Sequence, residues 1–214
     1  MVKTGADAAT ARRYGGRDAR QRQDERRARL LAAALGLFGG AGYAQTSIKQ
    51  VCDEAGLTQR YFYESFADKE QLLRELYDGI VAELRAAVAG AVARAGTDVA
   101  DRIRAGLAAV IDTLGADQRR ARVALIEVVG VSRGLDTRRR EVLHDFARYI
   151  AGLVPADVDP LPPQRLETGV MVLVGGVSEV LVDHALGYRS TPTPELVEII
   201  AALFLGGYRA LGGR

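Results

Sequence analysis

Apolar residues recur every three to four positions along most of this chain, and nowhere do they alternate with period two over a strand's length. That pattern predicts an all-α fold. A first helix runs from about Asp24 to Phe38, with Leu31, Leu35 and Phe38 on one face. Ser47 followed by Gln50 has the spacing of a capping box, and Ile48, Val51, Cys52 and Ala55 then repeat at helical spacing until Gly56. Glycine is the residue best suited to the left-handed turn that ends a helix. Thr58 stands where it can cap a short helix over residues 59–65, and Asp68 with Gln71 repeats the capping signal for a long helix carrying Leu72, Leu73, Leu76, Tyr77, Ile80, Val81 and Leu84. A helix, a tight Gly-containing turn and a second short helix form a helix-turn-helix, whose second helix can enter the DNA major groove.

Further along, Gly96-Thr97-Asp98 marks a break before a helix over 99–114, and a segment over 118–131 follows a short interruption near Gly115. Gly134-Leu135-Asp136 is read as another break before a helix over 137–153. The proline-rich stretch 154–163 reads as a loop. Two long apolar helices close the chain, at about 164–186 and 194–211. The first holds GVMVLVGGVSEVLV, apolar nearly all round, which marks a helix buried in a core or covered by another subunit.

Charge changes the picture more than composition does. The net charge is only +2, yet residues 1–29 carry a balance of +5, residues 30–85 one of −3, and the remainder is neutral. The helix-turn-helix block is therefore acidic, although DNA affinity depends on neutralising phosphates. The N-terminal arm, with Arg12, Arg13, Arg17, Arg20, Arg22, Arg26, Arg27 and Arg29, can supply the missing charge. Lacking an apolar stripe before Leu30, it is expected to be flexible without DNA, either tracking phosphates or serving as a solvated tail. The chain thus divides into a flexible basic arm at 1–23, a DNA-binding domain at 24–70 and a second helical domain at 71–214.

Several classes are disfavoured. One cysteine leaves no disulfide framework within the chain and fits a reducing cytoplasm, and no apolar run approaches the roughly 20 residues a membrane span needs. His144 and His184, the two histidines, lie at no metal-ligand spacing from other ligating residues. Gly39-Gly40-Ala41-Gly42 lacks the Lys-Ser/Thr of a phosphate-binding loop. No enzyme activity, cofactor or metal is expected, and Cys52 reads as a small core residue.

The ordered series Leu37-Phe38, Gly42-Tyr43, Thr46-Ser47-Ile48, Ala55-Gly56-Leu57-Thr58, Phe62-Tyr63 and Phe66-Ala67-Asp68-Lys69-Glu70-Gln71-Leu72 resembles the DNA-binding domain of the tetracycline-repressor (TetR/AcrR) family of bacterial transcription regulators. The resemblance covers about a quarter of the chain, from Leu31 to about Leu84. It implies a homodimer whose last two helices form the interface, bound to double-stranded DNA at an inverted repeat. It also implies a repressor released by a small-molecule effector held among the middle helices. The positions that match family DNA contacts are Ser47, Lys49, Thr58, Gln59, Arg60, Tyr61, Tyr63, Ser65 and Lys69. By residue chemistry, Arg60 suits a guanine edge and Gln59 an adenine edge. Tyr63 and Lys69 suit phosphates, and Tyr61 either meets a thymine methyl or packs on a neighbouring helix. Arg60, Tyr61, Ser65 and Ala67 depart from common family residues.

Candidate effector contacts are Tyr77, Ile80, Leu84, Val110, Leu114, Ile126, Phe146, Tyr149 and Met171, each of which is otherwise an ordinary core position. The low aromatic content favours a lipophilic or acyl-type effector over a flat cation. A second class stays open: a helical bundle that binds a small molecule or protein and whose DNA head is vestigial. The acidic head favours it; the capped helices and basic arm favour the regulator.

Overall fold

The computed structural model describes residues 7–153 and 162–211, with side chains from residue 19 onward apart from residue 163. The loop expected at 154–163 lies mostly outside the described residues. Among the described residues the chain is helical without strands: α1 (Asp7–Gly40), α2 (Ile48–Ala55), α3 (Gln59–Tyr63), α4 (Lys69–Arg94), α5 (Val99–Gly115), α6 (Gln118–Arg122), a π-helical turn (Val123–Glu127), α7 (Arg133–Ala151), α8 (Pro163–Ala185) and α9 (Thr193–Ala210). No described helix is long and apolar enough to cross a membrane.

Two compact units divide between Leu76 and Tyr77, and α4 contributes to both. In the N-terminal unit α1 packs on α2 and α3 around Leu30, Phe38, Val51, Phe62 and Phe66, all buried. In the C-terminal unit α5 lies on α9 and α7 on α8. Val88, Val92, Ile103, Ala147, Val170 and Phe204 belong to its central cluster. Gly106 permits a close approach there, because an added Cβ would stand 3.4 Å from Val92 Cγ2.

Three sequence expectations need correction. Helix α1 begins at Asp7 rather than near Asp24, so the backbone of the basic arm is helical over much of its length. Its run of Ala, Arg and Gln has good helix propensity, which needs no apolar stripe. Gly134-Leu135-Asp136 is the first turn of α7 and not a break, since the Ser132 hydroxyl caps that helix by accepting from the Leu135 N–H at 3.1 Å. The segment 118–131 is not one α-helix, because a π-turn follows α6 directly.

Candidate nucleic-acid interface and ligand cavity

The short reading helix is positioned by local chemistry at both flanks. At the start of α2 the Ser47 hydroxyl accepts from the Gln50 N–H at 3.2 Å, and the Ser47 N–H donates to Gln50 Oε1 at 2.8 Å, completing the capping box. At its end Gly56 takes φ +61°, the left-handed conformation the sequence calls for. Arg29 reaches across from α1 and donates to the carbonyls of Ala55 at 2.5 Å and Gly56 at 3.3 Å. These carbonyls are among those a helix C-terminus leaves without intrahelical partners. Thr58 occupies the N-cap position of α3 with extended backbone but makes no capping hydrogen bond. Before α4, Asp68 Oδ1 accepts from the Gln71 N–H at 2.7 Å, while Gln71 reaches back to the Ala67 N–H at 2.7 Å rather than to Asp68.

Within α3, Phe62 is buried, with Tyr61 half-buried beside it. Gln59, Arg60 and Tyr63 are exposed, and the Arg60 side chain keeps 85% of its accessible surface. Lys49 on α2 is exposed as well. Arg60 is held by Glu64 at 3.2 Å and Lys49 by Asp53 at 2.6 Å, both one helical turn away. Exposed pairs of this kind contribute about 0–1 kcal/mol, so a phosphate or base edge can displace them. The exposed surface is polar, aromatic and lightly basic, and its two cations are only weakly committed.

Other candidates sit differently. Tyr61 is half-buried, with the Arg26 guanidinium 4.5 Å from its ring centroid, so part of its surface goes to packing on α1. Ser65 is half-buried, whereas Ser47 and Thr58 are exposed. Lys69 does not extend outward: its ammonium donates to the carbonyls of Tyr43 at 2.9 Å and Thr46 at 2.8 Å and lies 4.1 Å from the Tyr43 ring centroid. Burial lowers its pKa. Lys69 thus fastens the α1–α2 turn to the start of α4. Cys52 is buried, and burial pushes its thiol pKa up, as befits a small core residue.

The arm arginines separate into two groups. Arg29 caps α2, Arg27 pairs with Glu75 and lies over Phe66, and Arg26 lies near Glu64 and Tyr61, so these three belong to the N-terminal unit. Arg20 and Arg22 are exposed. Arg26 and Arg29 fall within the expected first helix, and their separation of three residues puts both on one face of α1.

The C-terminal unit encloses a cavity of about 160 Å³ between α4, α5, α7, α8 and α9. From the sequence candidates, Tyr77, Ile80 and Leu84 line it on α4, Val110 and Leu114 on α5, and Phe146 and Tyr149 on α7. Ile126 does not line it. The π-turn rotates the chain out of α-helical register, and Ala124 and Leu125 take that place. Met171 is also displaced, because α8 faces the cavity with Leu173, Val174, Val177 and Leu181. It packs against the central cluster instead. Arg102 and Arg139 are the charged residues in the lining. Among the described residues no group of His, Cys, Asp and Glu has the geometry to hold a metal ion.

Comparison with known proteins bears on both units. The model for bacterial regulatory proteins of the tetR family matches residues 30–76. The transcriptional activator FasR of Mycolicibacterium smegmatis is 32% identical over 101 residues, covering 45% of this chain and 44% of FasR. The transcriptional regulator EthR of the same organism is 30% identical over 108 residues, half of each protein. The chain therefore spans about half the length of these curated relatives. Over the whole fold, FadR from Bacillus halodurans superposes with a TM-score of 0.72 at 20% identity, covering 86% of this chain and 96% of that one. FadR from Bacillus subtilis, solved in complex with stearoyl-CoA, gives 0.71 at 15% identity, covering 84% and 97%. At such identities these two establish the likeness of fold, while the capped helices, Gly56 and Phe62 lie in the segment that the family model matches. Residues 30–76 thus match the tetR family of bacterial regulatory proteins, and the regulators FasR and EthR are what the chain resembles over about half its length.

Proposed function

We propose that this chain is a cytoplasmic, homodimeric, DNA-binding transcriptional repressor, released from an inverted-repeat operator by a small lipophilic effector. The observation that carries the reading is α3 itself: Phe62 anchors the helix in the core, while Gln59, Arg60 and Tyr63 stand exposed. Arg60 then reads a guanine edge, Gln59 an adenine edge, and Tyr63 and Lys49 hold phosphates. Ser47 and Thr58 border this surface. Arg20 and Arg22, exposed on α1, add phosphate neutralisation to an otherwise acidic block.

The last two helices support dimerisation. Val172 on α8 and Ile199 and Leu203 on α9 are exposed at 69%, 47% and 61%, although they are large and apolar. A Cβ added to Gly175 or Gly176 would meet nothing within 4 Å, so a second helix can approach closely there. A dimer with its reading helices about 34 Å apart matches one turn of duplex. Replacing Val172 and Leu203 together by Glu is expected to yield monomers in sedimentation and to abolish tight operator binding. The apolar cavity supports a lipophilic effector, and the stearoyl-CoA complex of Bacillus subtilis FadR shows that the same fold accommodates an acyl ligand.

The test is selection of bound sequences from random duplex DNA by the purified full-length protein. An enriched inverted repeat supports the dimeric operator reader. Transcription from a promoter carrying that repeat then distinguishes repression from activation, and activation would overturn the repressor assignment. No enrichment from folded, dimeric protein favours the second reading, a small-molecule-binding bundle with a non-reading head. The acidic balance of residues 30–85 is the observation on that side.

A further inference from the structure

The cavity extends along α4 from Tyr77 to Val92, roughly 22 Å at a rise of about 1.5 Å per residue. Helix α7 follows α4 in the same direction, since Asp78 pairs with Arg138 and Arg85 with Asp145. A volume of about 160 Å³ drawn out over that length makes a narrow channel rather than a round chamber. Such a shape suits an unbranched chain better than a flat or globular molecule. Its walls are almost entirely aliphatic and aromatic.

The polar groups in the lining are concentrated at particular places. Arg139 on α7 lines the cavity beside Tyr77 on α4, near the α4 end where Asp78 and Arg138 pair. The acids within reach on that face are already committed: Asp78 accepts from Arg138 at 2.7 Å, and Glu141 accepts from the same guanidinium at 3.2 Å. Arg139 has no ion-pair partner among the described residues, and no Asp or Glu lines the cavity. Tyr77 is 3% exposed and forms no hydrogen bond to another described side chain. Burial pushes its phenol up to about 12, against the pull of Arg139, which acts on it more strongly than any other charge. Tyr77 therefore stays protonated at neutral pH. This end of the channel offers hydrogen-bond donors, one of them permanently charged, and no acidic acceptor.

We infer that the Tyr77–Arg139 end of the channel is a carboxylate-binding end, and that the effector is an unbranched free fatty acid with its head on Arg139 and the Tyr77 hydroxyl. The inference rests on the reading of this cavity as the effector site and names the chemistry it selects. An amine is excluded, because it brings a second positive charge to a site without an acid. An ester or thioester carbonyl can accept a hydrogen bond from either donor but carries no charge to complete the pair. Arg102, on α5 beside Ile103, lines a different stretch of the channel, where Gly106 packs against Val92. It provides the internal comparison.

Calorimetric titration of the full-length protein with palmitate, methyl palmitate and palmitoyl-CoA tests the assignment. Palmitate is expected to bind most tightly. Arg139→Gln should weaken palmitate on the order of tenfold to a hundredfold, the range for a hydrogen bond to a charged group, and Tyr77→Phe about tenfold. Methyl palmitate should bind more weakly to the unmodified protein and lose less affinity than palmitate on Arg139→Gln, since it loses a hydrogen bond but no ion pair. Arg102→Gln should leave palmitate binding unchanged. Operator binding by each variant confirms that it is folded. Palmitate affinity that survives Arg139→Gln, or falls instead with Arg102→Gln, overturns the placement of the head. Palmitoyl-CoA or the methyl ester binding as tightly as palmitate overturns the choice of a free acid, while the effector-site reading stands. If none of the three ligands binds, the effector-site reading fails together with the inference.

Discussion

Replacing Gly56 by Ala perturbs the reading unit at a point where two costs are separable. The residue lies at φ +61°, and an added Cβ would stand 2.8 Å from the Arg29 Nη2 atom. Holding a non-glycine residue in the left-handed region costs about 1–2 kcal/mol. The steric contact is with the far end of a flexible side chain, so the guanidinium moves aside. In moving it gives up its bonds to the carbonyls of Ala55 and Gly56. A bond of that kind at a partly exposed site is worth about 1 kcal/mol. Gly56→Ala should therefore destabilise the unit by about 2–3 kcal/mol. Urea denaturation of the full chain, followed by far-UV circular dichroism, measures the loss. Arg29→Ala alone should cost about 1 kcal/mol. In that background Gly56→Ala should cost only the backbone part, so the double variant is more stable than the sum of the singles implies. Strict additivity would show that Arg29 and Gly56 act independently, and a Gly56→Ala loss below about 0.5 kcal/mol would refute the conformational argument as well.

The remaining expectations concern charge. Arg60→Ala should weaken operator binding by about 1–3 kcal/mol and relax selection at one base position, read by repeating the sequence selection. Glu64→Ala, which releases Arg60 from its partner, should bind DNA at least as tightly as the unmodified chain; weaker binding would mean that the pair positions Arg60 for reading. Replacing both Arg20 and Arg22 by Ala should lower the slope of log affinity against log salt by about one for each lost phosphate contact. An unchanged slope would return this part of the arm to the role of a solvated tail. Asp145 is held below its ordinary pKa by hydrogen bonds from Arg148 and Arg85. A depressed folded pKa contributes stability that is present above the unfolded value near 3.8 and lost as pH falls through the folded one. Asp145→Asn should thus be less stable than the unmodified chain at neutral pH, with the difference vanishing in acid. A difference that is flat across that range would show that the pairing is not the cause.

The DNA-reading unit was legible in the sequence because its geometry is fixed by contacts close along the chain. Ser47 and Gln50 cap α2 from three residues apart, and Gly56 supplies the left-handed turn with no distant partner required. Three features of that unit were missed for the opposite reason. Arg29 reaches α2 from 26 residues away, Lys69 turns back by a similar distance onto the loop at Tyr43 and Thr46, and Arg26 packs on Tyr61. All three look like surface cations when only neighbouring positions are considered.

The cavity illustrates where periodicity stops being a guide. Candidates on α4, α5 and α7 follow from stepping three and four residues along regular helices, and all of these fall on the lining. Across residues 118–131 the same stepping holds only for one unbroken α-helix, and Ile126 does not line the cavity. The π-turn there has a hydrogen-bond ring one residue longer, so every side chain beyond its start is rotated relative to the expected face. Ala124 and Leu125 face the channel as a result. Nothing in VALIE distinguishes a π-turn from an α-turn; the choice is made by how the segment packs, and α8 is the element it lies against. The two arginines of the lining were passed over for a related reason. An arginine on an amphipathic helix is normally solvated, and only the commitment of Asp78 and Glu141 to Arg138 leaves Arg139 with a charge that no neighbouring carboxylate answers. On the proposed reading, specificity of this cavity is set less by the residues that look apolar in the sequence than by the pairing of Asp78 and Glu141 with Arg138 rather than with the adjacent Arg139.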